Sequence, residues 1–322
     1  MTRTAQRATQ ASLVVAALLA GLPAAASAAS KPTVRTGAAT RITATSVRLH
    51  GAVTPNGAQT TYLFQYGRTK LYGPSTPITV AGSGSKKIRV RVDVGGLVPA
   101  RRYHYRLVAR NSKGVVSGSD RSFKTPAQPL ALSLVASPNP VRFGKGIVLA
   151  GVLSGTGNAG RQIVLQQSPF PHTQGFTQVG NALVANQQGT FAFTLLSVPL
   201  NTQFRVLLPS KPQVVSPIAG VGVAPRLTTH VSSRRVFSGA RVRFSGTIRP
   251  ARRGTRVVIQ RLRGKRWKRV AATKSRRGAK MFSRYARRVR IRRGGRYRVL
   301  VDSVDGYYVP NSGRTVRIRL RF

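Results

Sequence analysis

The sequence predicts an all-β protein: three tandem antiparallel β-sandwiches behind an export signal. Three observations carry that reading. Short alternating runs such as "KIRVRVDV", "YHYRLVA", "RVRFSG" and "TVRIRL" recur along the chain, and period-two alternation marks half-buried strands. No long run carries apolar residues at i, i+3, i+4 and i+7. Gly, Pro, Asn and Ser clusters separate the runs, and proline-bearing junctions near "KTPAQP" and "GVAPRL" cut the mature chain into pieces of about 95 residues, close to the size of one small sandwich domain.

The first element is an address. Arg3 and Arg7 form a basic start, Ala11 to Leu22 form an apolar stretch, and Ala26-Ser27-Ala28 is a small-x-small cleavage site. This order is that of a secretory signal peptide over 1–28. The apolar stretch is short for a membrane span of about 20 residues, and Pro23 interrupts it. No later segment is apolar enough to span a bilayer. The mature chain is therefore expected outside the cell, free or held non-covalently to the wall. Cysteine is absent, so stability rests on packing, without disulfides, thiolate metal sites or a lipoprotein acceptor.

The first sandwich is expected over 31–125. Its face assignments follow from parity: Tyr103, Tyr105, Leu107 and Ala109 point one way, and His104, Arg106, Val108 and Arg110 the other. The segments "TSVRLHGAVTPNG", "TTYLFQYG" and "GLVPARRYHYRLVARNSKGVVSG" resemble the fibronectin type III-like modules of secreted actinobacterial-type proteins. The sharpest part is Gly96-Leu97-x-Pro99-x-x-x-Tyr103. The resemblance implies that Tyr103 makes a tyrosine corner, its hydroxyl bonded to upstream backbone. The strand "RLHGAV" lacks the Trp that such modules often carry, which places the module in a divergent branch.

The second and third sandwiches, expected over 130–224 and 226–322, read as repeats. "FGKGIVLAG" from Phe143 corresponds to "SGARVRFSG" from Ser238. "GRQIVLQ" corresponds to "GTRVVIQ", Phe176 falls opposite Trp267, and "FRVLL" corresponds to "YRVLV". Both are similar to bacterial Ig-like repeats, in which a strand with a Gln is followed by a turn, an aromatic and a second hairpin.

Charge separates these repeats. The chain has 55 Lys and Arg against four acids, a net charge of +51. Over 31–125 there are 17 basic and two acidic residues; over 126–225, five basic and none acidic; over 226–322, 31 basic and two acidic. Codon bias toward Arg cannot separate two repeats of one gene. A charge of this size concentrates anionic partners and speeds encounter with them.

The third sandwich supplies the candidate site. In "TVRIRLRF", Val316, Ile318, Leu320 and Phe322 alternate with Arg317, Arg319 and Arg321, so the arginines are expected on the outer face at about 6.6 Å spacing. Arg241 and Arg243 repeat the pattern in "RVRF". Lys265, Arg266, Lys268 and Arg269 flank a tight turn at Gly264. Guanidinium groups fork onto phosphate or carboxylate. Trp267, set among these, has two readings. Its correspondence with Phe176 predicts a structural slot packed in the core; the alternative is an exposed ring that stacks on a base or sugar.

Chemistry-bearing patterns are few. The four acids are Asp93, Asp120, Asp302 and Asp305. The last two sit close together in "VDSVDGYY" and are expected to form a turn or pair with local Arg, which leaves no carboxylate pair for glycoside hydrolysis. His50, His104, His172 and His230 are scattered. His50 and His104 are expected near each other on the outer face of the first sandwich, where two ligands alone make a poor zinc site. "GSGSKK" from Gly82 reads as a hairpin loop. The expectation is thus a protein without enzymatic activity, metal or cofactor. Its expected partner is an anionic cell-envelope polymer or polysaccharide, bound through the basic third sandwich. The rivals are extracellular nucleic acid, and a protein partner for which the sandwiches are passive adhesion or spacer modules.

Overall fold

The computed structural model describes residues 28–210, 213–302 and 305–321. The predicted signal segment, all but its last residue, lies outside the described residues. Every regular element among the described residues is a strand. The described residues fold as two compact units that divide between Pro126 and Ala127.

The first unit packs a three-stranded sheet (Thr33–Thr36, Val47–Thr54, Ile88–Val94) against a five-stranded one. The latter is centred on Thr60–Gly67 and Arg102–Asn111. All pairings are antiparallel. Alternation decides what enters the core: Tyr103, Tyr105, Leu107 and Ala109 are buried, and the residues between them are not. They meet Leu49 and Val53 of the opposite sheet across the interior, with Phe64 beside them on the neighbouring strand. The Val98 N–H donates to Tyr103 Oη at 2.9 Å, so the tyrosine corner implied by the resemblance is present. The stretch Gly82 to Lys87 is not a hairpin loop. Thr79–Gly82 pairs with Thr60–Gly67, whereas Ile88–Val94 pairs with Val47–Thr54, so this connection crosses from one sheet to the other. Alternation announces a strand but not its partner.

The second unit holds two separate hydrophobic clusters, one built from residues 132–223 and one from 242–318. Each lies between two main sheets whose central strands pair in the same order, and in the first of the two a separate two-stranded sheet completes the edge. Ile147–Ser154 pairs with Thr190–Leu195 as Arg241–Arg249 pairs with Ser283–Arg290. Gln162–Pro169 pairs with Thr202–Leu208 as Arg256–Arg263 pairs with Gly295–Asp302. Each also has one parallel contact between an early and a late strand, Val141–Arg142 with Val223–Ala224 and Arg235–Phe237 with Val316–Arg321. Gly151 and Gly246 occupy the same slot in the two sandwiches. A Cβ there would meet the Ser133 carbonyl oxygen at 2.1 Å or that of Thr228 at 2.0 Å, which explains the shared glycine.

The junction at Pro225 lies inside this unit, and a seam joins the two sandwiches across it. The Asn201 N–H and Nδ2 donate to the carbonyls of Tyr307 and Gly306, both at 2.8 Å. Asn201 Oδ1 accepts from the Val223 N–H at 2.7 Å. Tyr307 packs edge-on to Phe170 at 4.8 Å, with the Arg252 guanidinium 3.9 Å from its ring. Tyr308 packs against the second sandwich's own cluster.

Candidate anion-binding surface

The strand Val316–Arg321 shows the expected ladder: Val316 and Ile318 are buried, and Arg317, Arg319 and Arg321 are exposed. Neighbouring strands extend it. Arg317 stands across from Arg296, and Arg319 across from Arg235. On the opposite sheet, Arg241 faces Arg290 and Arg243 faces Arg288. Like charges directly opposite one another destabilise a sheet, yet these four pairs occur, and Arg226–Arg249, Arg256–Lys274, Arg261–Lys268, Arg263–Arg266 and Arg276–Arg284 add five more. Lys265, Arg266, Lys268 and Arg269 are all exposed and lie at the end of the Arg256–Arg263/Arg266–Lys274 hairpin, around Gly264 at φ +56°. The candidate residues therefore fall into three places: one outer face carries Arg241 and Arg243, the other carries the 317–321 ladder, and the hairpin tip carries the rest. The charge covers both faces of the sandwich.

Counter-charge is scarce. The two acids of this sandwich are each taken by an arginine, Asp305 by Arg252 at 3.0 Å and Asp302 by Arg256 at 3.6 Å. In the first unit Arg48 forks onto Asp93, with Nε and Nη2 both at 2.6 Å. The hydrogen bond from Arg48 holds the Asp93 carboxyl below the ordinary carboxylate range. Asp120 accepts from Tyr72 Oη at 2.8 Å and contacts His104 Nδ1 at 2.9 Å. Burial raises its pKa, but these bonds outweigh burial and lower it. His50 and His104 do not approach one another as expected. His50 lies on the three-stranded sheet, bonded to Thr40 Oγ1 at 2.7 Å, and His104 on the five-stranded one. Among the described residues no group of three or more His, Cys, Asp or Glu could hold a metal ion.

Trp267 is not a core residue. It is half-buried and lies outside the buried cluster of its sandwich, at the outer-face position opposite Leu262. The Arg298 guanidinium covers one face of the indole at 4.4 Å, and Arg298 Nε donates to Gln260 Oε1 at 2.7 Å. The same arrangement occurs twice more. Arg205 stacks on Phe176 at 4.1 Å and bonds Gln166 at 2.8 Å. Arg106 stacks on Tyr72 at 4.6 Å and bonds Gln65 at 2.8 Å. In each case the Gln and Arg are cross-strand partners. The slot recurs in all three sandwiches and lies on the outside of the sheet, not in the core that the correspondence with Phe176 predicts. The signal for it is present in "FQY", "LQQ" and "IQR", each followed later by "YRL", "FRV" or "YRV"; what alternation leaves unread is that the aromatic, Arg and Gln meet.

A cleft of about 440 Å³ lies at the junction of the two sandwiches, with Arg142, Arg226, Arg249 and Arg314 in its wall. No helix among the described residues is long and apolar enough to cross a membrane.

No family model and no curated protein matches the chain. Among solved structures it is similar to the sensor domain of the anti-sigma factor RsgI4 of Pseudobacteroides cellulosolvens, at 24% identity over 30% of this chain and 94% of that one, with a TM-score of 0.22. It is also similar to the chicken CNTN1 FN1-FN3 domains, at 16% identity over 90% and 99%, TM-score 0.29. Domains of titin match at 15% identity over 91% and 100%, TM-score 0.37. The fold class, all-β with antiparallel sandwiches, is read from the strand pairings themselves.

Proposed function

We propose that this chain is an exported, non-enzymatic surface or matrix protein that binds anionic envelope polymers, teichoic-type or acidic polysaccharide, through its third sandwich. The observation that carries the reading is the contrast within the second unit. Two sandwiches whose central strands pair in the same order differ by 31 basic residues against five, and the richer one bears its arginines in facing like-charged pairs on both sheets. Such pairs lower the stability of the free protein, and a bound polyanion relieves them. Binding of this kind releases counterions and weakens steeply with salt.

The test is binding of the mature chain to purified cell wall across a salt series. Neutralising six to ten contacts corresponds to a loss of about a thousand- to a hundred-thousand-fold in affinity between 50 and 200 mM salt. A variant with Arg235, Arg296, Arg317 and Arg319 changed to Gln should lower the log–log slope by about 3 to 4. Retention that ignores salt, or a variant that stays on the wall unchanged, would leave the sandwiches as passive spacers for a protein partner. Extracellular nucleic acid is separated by competition, with DNA displacing the chain from wall at equal charge concentration. The arginine lying on one face of Trp267 argues against base stacking as its mode.

A further inference from the structure

The sandwich that carries the charge also has a concave site, built where its interior should close. Val257 and Ile259 of the strand Arg256–Arg263 are fully buried. The next two positions of the same parity are Arg261 and Arg263. With Arg269, Arg290, Arg292 and Arg293 they wall a cleft of about 490 Å³, whose apolar lining is Val270, Val289 and Tyr297. No acidic residue lines it. Part of the wall is fixed in place: Arg261 Nε donates to the Gly294 carbonyl and Arg290 Nε to the Gly239 carbonyl, both at 3.2 Å. Tyr297 Oη donates to the Arg293 carbonyl at 2.7 Å. Each anchored guanidinium spends one of its five donors this way and keeps the others.

The second sandwich is an internal control. Arg261 and Arg263 correspond in register to Gln167 and Pro169, and Arg269 to Gln178. By strand pairing Arg290 corresponds to Leu196, and counting back from the matched pair Tyr297 and Phe204, Arg292 and Arg293 correspond to Pro199 and Leu200. None of the six counterparts is charged. The basic lining is therefore a property of this cleft and not of the fold.

We propose that this cleft is a discrete site for a compact, multiply charged oxyanion of the phosphate class, two linked phosphates in preference to a carboxylate. A carboxylate offers two oxygens and one charge, which would occupy one fork and leave the other guanidiniums facing each other. Linked phosphates offer several charges and enough oxygens to meet several forks at once. The proposal rests on the anionic-polymer reading and deepens it: the outer ladders gather polymer by charge alone, and the cleft selects phosphate.

The experiment is a calorimetric titration of the full mature chain with inorganic pyrophosphate at about 0.15 M salt, with citrate as the carboxylate control. One saturable site per chain is expected. Arg261→Gln with Arg293→Gln should weaken it at least about tenfold, and Arg317→Gln with Arg319→Gln should leave it unchanged. If the Gln pair fails to fold, Arg261→Lys with Arg293→Lys keeps the charge and removes the fork, and should still lower affinity several-fold. Several equivalent weak sites, equal losses in the cleft and ladder variants, or citrate binding as tightly as pyrophosphate would each overturn the proposal. Wall binding that keeps its salt slope while pyrophosphate finds no site defeats the cleft alone. A saturable pyrophosphate site on a chain that ignores wall defeats the surface reading alone.

Discussion

The second and third sandwiches are two versions of one scaffold, and they differ in what they place at equivalent positions. In the second, Leu149 faces Phe193 across the strand pair, and both are buried. In the third, the corresponding pair is Phe244, fully buried, and Arg287, exposed. The large ring has moved to the partner strand, and the position it left has become a charge. Among the described residues the buried cluster falls from sixteen residues to twelve, while basic residues rise from five to 31. The inward half of each strand sets the fold and tolerates such exchanges. The outward half is free to vary, and here it carries arginine at many positions, among them Arg241, Arg243, Arg288, Arg290, Arg317 and Arg319.

The comparison is informative because both sandwiches are held in one body, so the largest expected effect comes from cutting the seam. Tyr307 sits between Phe170 and Arg252 and takes part in the contact with Asn201. Tyr307→Ala should cost about 2 kcal/mol, below the 3–5 of a fully buried aromatic because this ring is only partly covered. More tellingly, calorimetry should show one transition for the second unit in the parent chain and two in the variant. The transition of the first unit serves as the reference. A single transition that survives the substitution would show that the seam does not couple the sandwiches.

A smaller effect, of opposite sign, tests the facing arginines. Arg317→Gln with Arg319→Gln removes two like-charged pairs, with Arg296 and Arg235. At low salt this should stabilise the third sandwich by roughly 1 kcal/mol, since each pair contributes a few tenths to 1 kcal/mol. In about 1 M salt, where screening acts over roughly 3 Å, the gain should vanish. The measurement is urea unfolding at the two salt concentrations. Destabilisation at both would mean that these side chains hold the sheet together through their stems.

What the sequence makes legible is set by range. Alternation is local, so it reads the inward residues Tyr103 to Ala109 and the ladder Arg317 to Arg321 directly. The Gly-Leu-x-Pro to Tyr103 spacing is also local, and it reads the tyrosine corner. Sheet partners are chosen over long distances, which is why Gly82 to Lys87 reads as a hairpin and His50 is placed beside His104. The arginine cleft stays hidden for a related reason. Arg261 and Arg263 have inward parity, but only the pairing of their strand shows that the sandwich ends there and leaves them around a cavity. The Asn201–Tyr307 seam joins residues about a hundred positions apart, and no motif marks it.

The smallest predicted change is the most discriminating for Trp267. The second sandwich already carries Phe176 in the equivalent slot, with the same arginine stacked on it and the same glutamine bonded to that arginine. If the slot is structural, Trp267→Phe rebuilds a solution the molecule uses elsewhere. The cation–π contact persists in weaker form, since Phe is a poorer partner than Trp, and the Arg298–Gln260 bond is untouched. The expected loss of stability is under about 1 kcal/mol, with wall and DNA binding both unchanged across the salt series. If instead the indole stacks on a ligand ring, the same substitution should weaken binding to single-stranded DNA specifically, by the 1–3 kcal/mol typical of base–aromatic stacking, while stability barely moves. The two readings thus predict opposite rankings of the stability and binding effects, and one substitution measured both ways decides between them.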